Sequence, residues 1–132
     1  MYNENKKNFK IWDYKNCSFI VSHYITEPSA IAIVIQDNDT SEIVTKSTIY
    51  DISQEYQVGM ATIKNYSENK GMTEFLKNLG IVTSIIESYK VNEMAEDTET
   101  IDVCNIDLKK LKEYSVEWHY NEESEEKNKI GK

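Results

Sequence analysis

Arginine is absent from this chain of 132 residues, and all 15 of its basic residues are lysine. Arginine's planar fork supplies the paired donors that read guanine edges and clamp phosphates. Its absence, with a net charge of −8, argues against direct nucleic-acid binding. Glycine is scarce, at four residues, which leaves little material for phosphate-cradling loops. No nucleophile elbow, zincin helix, phosphate loop or dinucleotide fingerprint occurs. Cysteine is limited to Cys17 and Cys104, and histidine to His23 and His119. A structural zinc site wants close ligand pairs, whereas Cys17 and His23 stand roughly 20 Å apart along an extended strand. No metal or cofactor is therefore expected, and no catalytic residue can be named. Met1 to Lys10 carries no apolar run of signal-peptide length, and no stretch reaches ~18 apolar residues. The expected setting is the cytoplasm, without membrane contact and with both cysteines as free, buried thiols. His23 is expected to be a hydrogen-bonded histidine of the core or its rim, and His119 to be solvated.

What is present reads as alternating strands. Phe9 to Tyr14 puts Phe9 and Ile11 on one face and Trp12 and Tyr14 on the other. Cys17 to Thr26 puts Cys17, Phe19, Val21 and His23 on one face. Lys15-Asn16 would join the two as a hairpin. Pro28 breaks the chain. Ala30 to Gln36 is apolar on both faces, as a central strand is. Asp37-Asn38-Asp39 is the best turn signal, and Glu42 to Ile52 returns as a β-branched strand. Val58 to Lys64 is a further strand, with Gly59 marking a bulge or a close approach.

Met72, Phe75, Leu76 and Leu79 form one apolar helical stripe. The helix starts near Ser67, capped by Ser67 or Asn69, is weakened in its first turn by Gly71, and stops at Gly80. Ile81 to Val91 is extended with a break near Thr83. Asn92 to Glu99 is an acidic loop, Thr100 to Ile106 a last strand, and Asp107 caps a short helix over Leu108 to Tyr114. The fold class is α+β: a mainly antiparallel sheet of about five to seven strands, one well-defined helix and a short C-terminal helix. Residues 1–120 form the single domain, and 121–132 an acidic tail predicted to be disordered.

Nine tyrosines supply contact area at low entropic cost. Tyr2, Tyr56, Tyr66 and Tyr120 fall in predicted loops or ends, where strand packing accounts for them less well. With Trp12 and Tyr14 on the first strand, the candidate interaction residues are Trp12, Tyr14, Tyr56 and Tyr66. The acidic loop at Glu93 to Glu99 and the tail at Glu122 to Glu126 could also imitate a phosphate backbone. A poorly protected first strand at a sheet edge predicts either a symmetric homodimer or a monomer whose C-terminal helix covers Trp12.

The stretch Lys64-Asn65-Tyr66-Ser67-Glu68-Asn69-Lys70-Gly71-Met72, followed by Phe75-Leu76 and Leu79-Gly80-Ile81-Val82, resembles a small uncharacterised family. Its members occur on conjugative transposons, plasmids and phages of Gram-positive bacteria. Asp107, Leu108 and Leu111 extend the likeness, which spans Phe9 to Tyr114. The resemblance implies a mobile-element setting and no catalytic residues. Three functions follow as expectations. The first is a non-enzymatic accessory protein that binds another protein, such as a host defence or replication component. The second is a small enzyme with a site assembled from scattered Asp, Glu, Tyr and His. The third is an acidic DNA mimic.

Overall fold

Apolar residues at every second position fix the first sheet. The computed structural model describes residues 6–122. In it β1 (Phe9–Ile11), β2 (Tyr14–His23), β3 (Ile31–Asp37) and β4 (Glu42–Lys46) pair antiparallel in sequence order. The β2–β3 register sets Phe19 opposite Ile35 and Val21 opposite Ile33. Directly opposed residues share a sheet face, so Phe19, Val21, Ile31, Ile33 and Ile35 point one way, and all five are fully buried. His23 ends the strand in solvent instead of at the core, its Nδ1 3.2 Å from the Tyr24 carbonyl.

The strand expected over Glu42 to Ile52 breaks at Ser47, and this break turns one sheet into two. Ser47 N–H donates to the Ile33 carbonyl at 2.8 Å, while its own carbonyl accepts from Lys64 N–H at 2.9 Å. One residue thus bonds to a strand of each sheet. The hydroxyl of Thr48, next along, accepts from Ile33 N–H at 3.0 Å in place of a ladder bond. Beyond the corner lie β5 (Thr48–Ile49), β6 (Met60–Asn65), β7 (Val82–Lys90) and β8 (Thr100–Ile106), in the spatial order β5-β6-β8-β7. A single core joins the sheets: Phe19, Ile33 and Ile35 from the first meet Ala61, Ile63, Cys104 and Ile106 from the second. The α+β class holds, with nine strands among the described residues.

Helix α1 (Met72–Asn78) seals this core with Met72 and Leu76, both buried. It ends as the sequence implies. Gly80 has φ +82°, its N–H donates to the Lys77 carbonyl, and Ile81 N–H donates to the Leu76 carbonyl. That pair of bonds satisfies carbonyls the last turn leaves open. The start differs. Ser67–Asn69 is a separate 3₁₀ turn, and Gly71 at φ +91° divides it from α1. Asn69 caps nothing; it is fully buried, accepts from the Thr45 hydroxyl at 2.8 Å and donates to the Lys46 carbonyl at 2.7 Å. The first turn of α1 is served from outside, where Asn65 Oδ1 accepts from Thr73 N–H at 3.0 Å.

Asp107 caps α2 (Leu108–Glu113), accepting from Lys110 N–H at 3.0 Å. A strand not foreseen, β9 (Ser115–Trp118), then lies parallel to β2. No helix among the described residues is long and apolar enough to cross a membrane. Tyr2 and the acidic residues of the expected tail after Glu122 lie outside the described residues.

Candidate functional site

The β1–β2 connection comes three residues earlier than the sequence implies. Phe9 and Ile11 both turn into the core, and Ile11 pairs with Tyr14, so the turn is Trp12-Asp13. Trp12 and Tyr14 therefore do not share a strand face; Trp12 lies in the hairpin turn and Tyr14 is the first residue of β2. Trp12 adopts φ +53°, a region in which a bulky residue is an outlier. It is 50% exposed and Tyr14 41%.

Beside the tip lies a cavity of about 220 Å³ lined by Lys10, Ile11, Trp12, Lys70, Gly71, Met72 and Phe75. β1 supplies Lys10 and Ile11, and the Gly71 break brings Lys70 and α1 against them. Ile11 and Met72 belong to the core, with Phe75 packed on it, so the cavity has an apolar wall at the edge of the interior. A wider hollow of about 540 Å³ lined by Asn65, Lys70, Gly71, Glu74 and Thr98 shares Lys70 and Gly71 with it. Lys70 Nζ pairs with Glu96 of the acidic loop at 2.9 Å, and that hydrogen bond raises the lysine's pKa and lowers the glutamate's. An exposed indole, an apolar wall and two ammonium groups can accept an aromatic or aliphatic group that carries negative charge nearby.

The other predicted contact residues go elsewhere. Tyr56 is a core residue, because packing and hydrogen bonds consume it. It is buried against Tyr50, with ring centroids 5.9 Å apart; its hydroxyl lies 2.6 Å from Thr62 Oγ1 and accepts from Asp51 N–H at 3.1 Å. Tyr120 is likewise buried, its hydroxyl donating to the Ser29 carbonyl at 2.6 Å and accepting from Gly59 N–H at 3.0 Å. Tyr66 is half-buried under Lys64, whose Nζ lies 5.4 Å from the ring centroid, and is not among the residues lining either hollow. Lys70 and Gly71 were missed as site residues. The available signal was a Lys-Gly pair directly before the helical stripe that begins at Met72.

Two further constellations carry polar chemistry. The Asp102 side chain, 3% exposed, accepts from Thr73 Oγ1 at 2.6 Å and from Ser88 Oγ at 2.5 Å. This ties α1 to the edge strand β7, and each carboxyl oxygen has a partner. On the outer side of the second sheet, Tyr89 donates its hydroxyl to Asp51. That bond, with those from Ser53, lowers the Asp51 pKa; burial and Asp51 raise that of Tyr89. Both cysteines are free and buried, and burial pushes the Cys104 thiol up to about 12. A thiol so raised is a poor nucleophile at neutral pH. Among the described residues no group of three or more His, Cys, Asp or Glu could hold a metal ion. The acidic loop spends part of its charge internally, on Lys70, on Lys90 at 3.7 Å from Asp97, and on Ser67 N–H, which donates to Glu99. No family model, curated protein or solved structure matches the chain.

Proposed function

We propose that this chain is a non-enzymatic accessory protein of a mobile genetic element that acts by binding another protein through its Trp12 corner. The observation that carries the reading is a half-exposed tryptophan held at positive φ beside an apolar-walled cavity. Hot spots of protein interfaces are aromatic residues next to pockets. A strained, bulky turn residue contributes nothing to the hairpin that glycine or asparagine would not supply more cheaply. The mobile-element setting rests on the resemblance over Lys64 to Met72 and the segments around it.

Affinity capture from a Gram-positive host lysate, with wild type and Trp12→Ala run side by side, tests the reading. The expected result is a host protein recovered by wild type and lost with the variant. Recovery that ignores Trp12, or no partner above background, refutes it.

A further inference from the structure

We infer that the Trp12 cavity receives one aromatic side chain of a partner polypeptide, flanked by carboxylates that take over Lys70 from Glu96. The inference rests on the binding function proposed above and specifies its ligand. Size makes the first argument. At about 220 Å³ the cavity falls below the range of drug-sized sites, roughly 300–1,000 Å³, and suits a single side chain. Its surfaces make the second. Trp12, Met72 and Phe75 line one space, and aromatic and methionine side chains both favour an aromatic occupant.

Charge makes the third. Lys10 and Lys70 line the cavity in a protein whose net charge is −8. Lys70 already holds a carboxylate, that of Glu96 at 2.9 Å. Both side chains of that pair are well exposed, at 46% and 69%, and exposed ion pairs are weak enough to exchange. Glu96 therefore occupies the ammonium group that a partner's carboxylate would take over. Glu74 lines the adjoining hollow together with Lys70, whereas the smaller cavity has no acidic residue in its lining, so the carboxylates fit best on the side of Lys70 that faces Lys10.

Binding of blocked tripeptides, followed at the backbone N–H groups of Lys70 and Gly71 in the cavity wall by NMR titration, tests this. The probes are Glu-Phe-Glu, Lys-Phe-Lys and Glu-Ala-Glu, with free phenylacetate as the small-molecule arm. Glu-Phe-Glu should bind roughly fivefold or more tighter than Lys-Phe-Lys, given what exposed charge pairs contribute. Glu-Ala-Glu should show no saturable shift. Glu96→Gln should tighten Glu-Phe-Glu about twofold by freeing Lys70, and Trp12→Ala should abolish the response. Equal binding of the acidic and basic peptides, phenylacetate binding as tightly as Glu-Phe-Glu, or a Glu96→Gln variant that binds more weakly overturns the inference. A Trp12-dependent host partner recovered despite such results would leave the broader reading standing.

Discussion

Replacing Gly80 by alanine isolates the cost of a left-handed backbone at a helix end. Gly80 sits at φ +82° and makes both closing bonds of α1 with its neighbour Ile81. A Cβ added there would meet the Lys110 side chain, with the nearest atom, Cε, 3.4 Å away. That is ordinary contact with a flexible chain, so packing adds little. The remaining cost is the left-handed penalty for an L-residue, offset partly by the entropy that alanine removes from the unfolded state, for a net loss of about 1 kcal/mol. Urea unfolding should show this as a lower midpoint with an unchanged slope, and thermal unfolding as a fall of roughly 3–6 °C. Gly80→Asn should lose less, because asparagine tolerates this region. An alanine variant as stable as wild type, or an asparagine variant less stable than alanine, would refute the reasoning.

Tyr89→Phe should flatten both ends of the stability–pH profile. Asp51 titrates below its ordinary 3.8 in the fold, so the unfolded chain protonates first on acidification; the stabilisation is present above about pH 4 and lost as pH falls through the depressed value. Tyr89 is raised above its ordinary 10.0, so its share is present below about pH 10 and lost as pH climbs toward the raised value. Denaturant midpoints between pH 2 and 11 check this, and a variant whose acid and alkaline limbs match wild type counts against the pair. Trp12→Gly should raise the unfolding free energy by about 1 kcal/mol, since relief of the φ +53° strain outweighs the contacts of a half-exposed ring. It should lose partner capture at the same time, and a destabilised variant would show that the ring packs more than it strains.

The strands that alternate cleanly were legible, and so was the helix stop. Phe19, Val21, Ile31, Ile33 and Ile35 reached the core on the faces their parity gave them. Thr83, where a break in the extended segment was expected, falls at a register shift between Val82 and Ser84. What escaped depends on partners distant in sequence. The break at Ser47 is set by Ile33 and Lys64, the role of Asn69 by Thr45 and Lys46, and the short β9 by its parallel pairing with β2. No local propensity encodes those contacts. The site was half legible: Trp12 stood out by residue type, but its hairpin position needed the β1–β2 register. Lys70 and Gly71 join it only because Phe75 of α1 packs on Phe9 of β1. Tyr56 and Tyr120 misled because a loop position in sequence does not exclude burial of the ring.

Departures from local rules distinguish the Trp12 corner from the rest of the surface. Among the described residues three non-glycine residues have positive φ: Trp12, Ser41 and Ser67. Ser41 closes the β3–β4 turn, its N–H donating to the Asp37 carbonyl at 2.7 Å, and Ser67 opens the 3₁₀ turn with its N–H on Glu99. Both are small residues held by hydrogen bonds within ordinary turns. The edge strand β7 also exposes apolar groups, Ile85 at 46% and Ile86 at 50%. There, however, a register shift between Ile85 and Glu87 bends the strand, and Glu87 and Lys90 add charge, the usual guards against edge-to-edge pairing. Trp12 has neither excuse. Its conformation is costly and its ring is left half in water, although a small polar residue would make the same turn. That conflict between local and global preferences is the ground for the binding role proposed above, and the cavity walled by Met72 and Phe75 adjoins that ring.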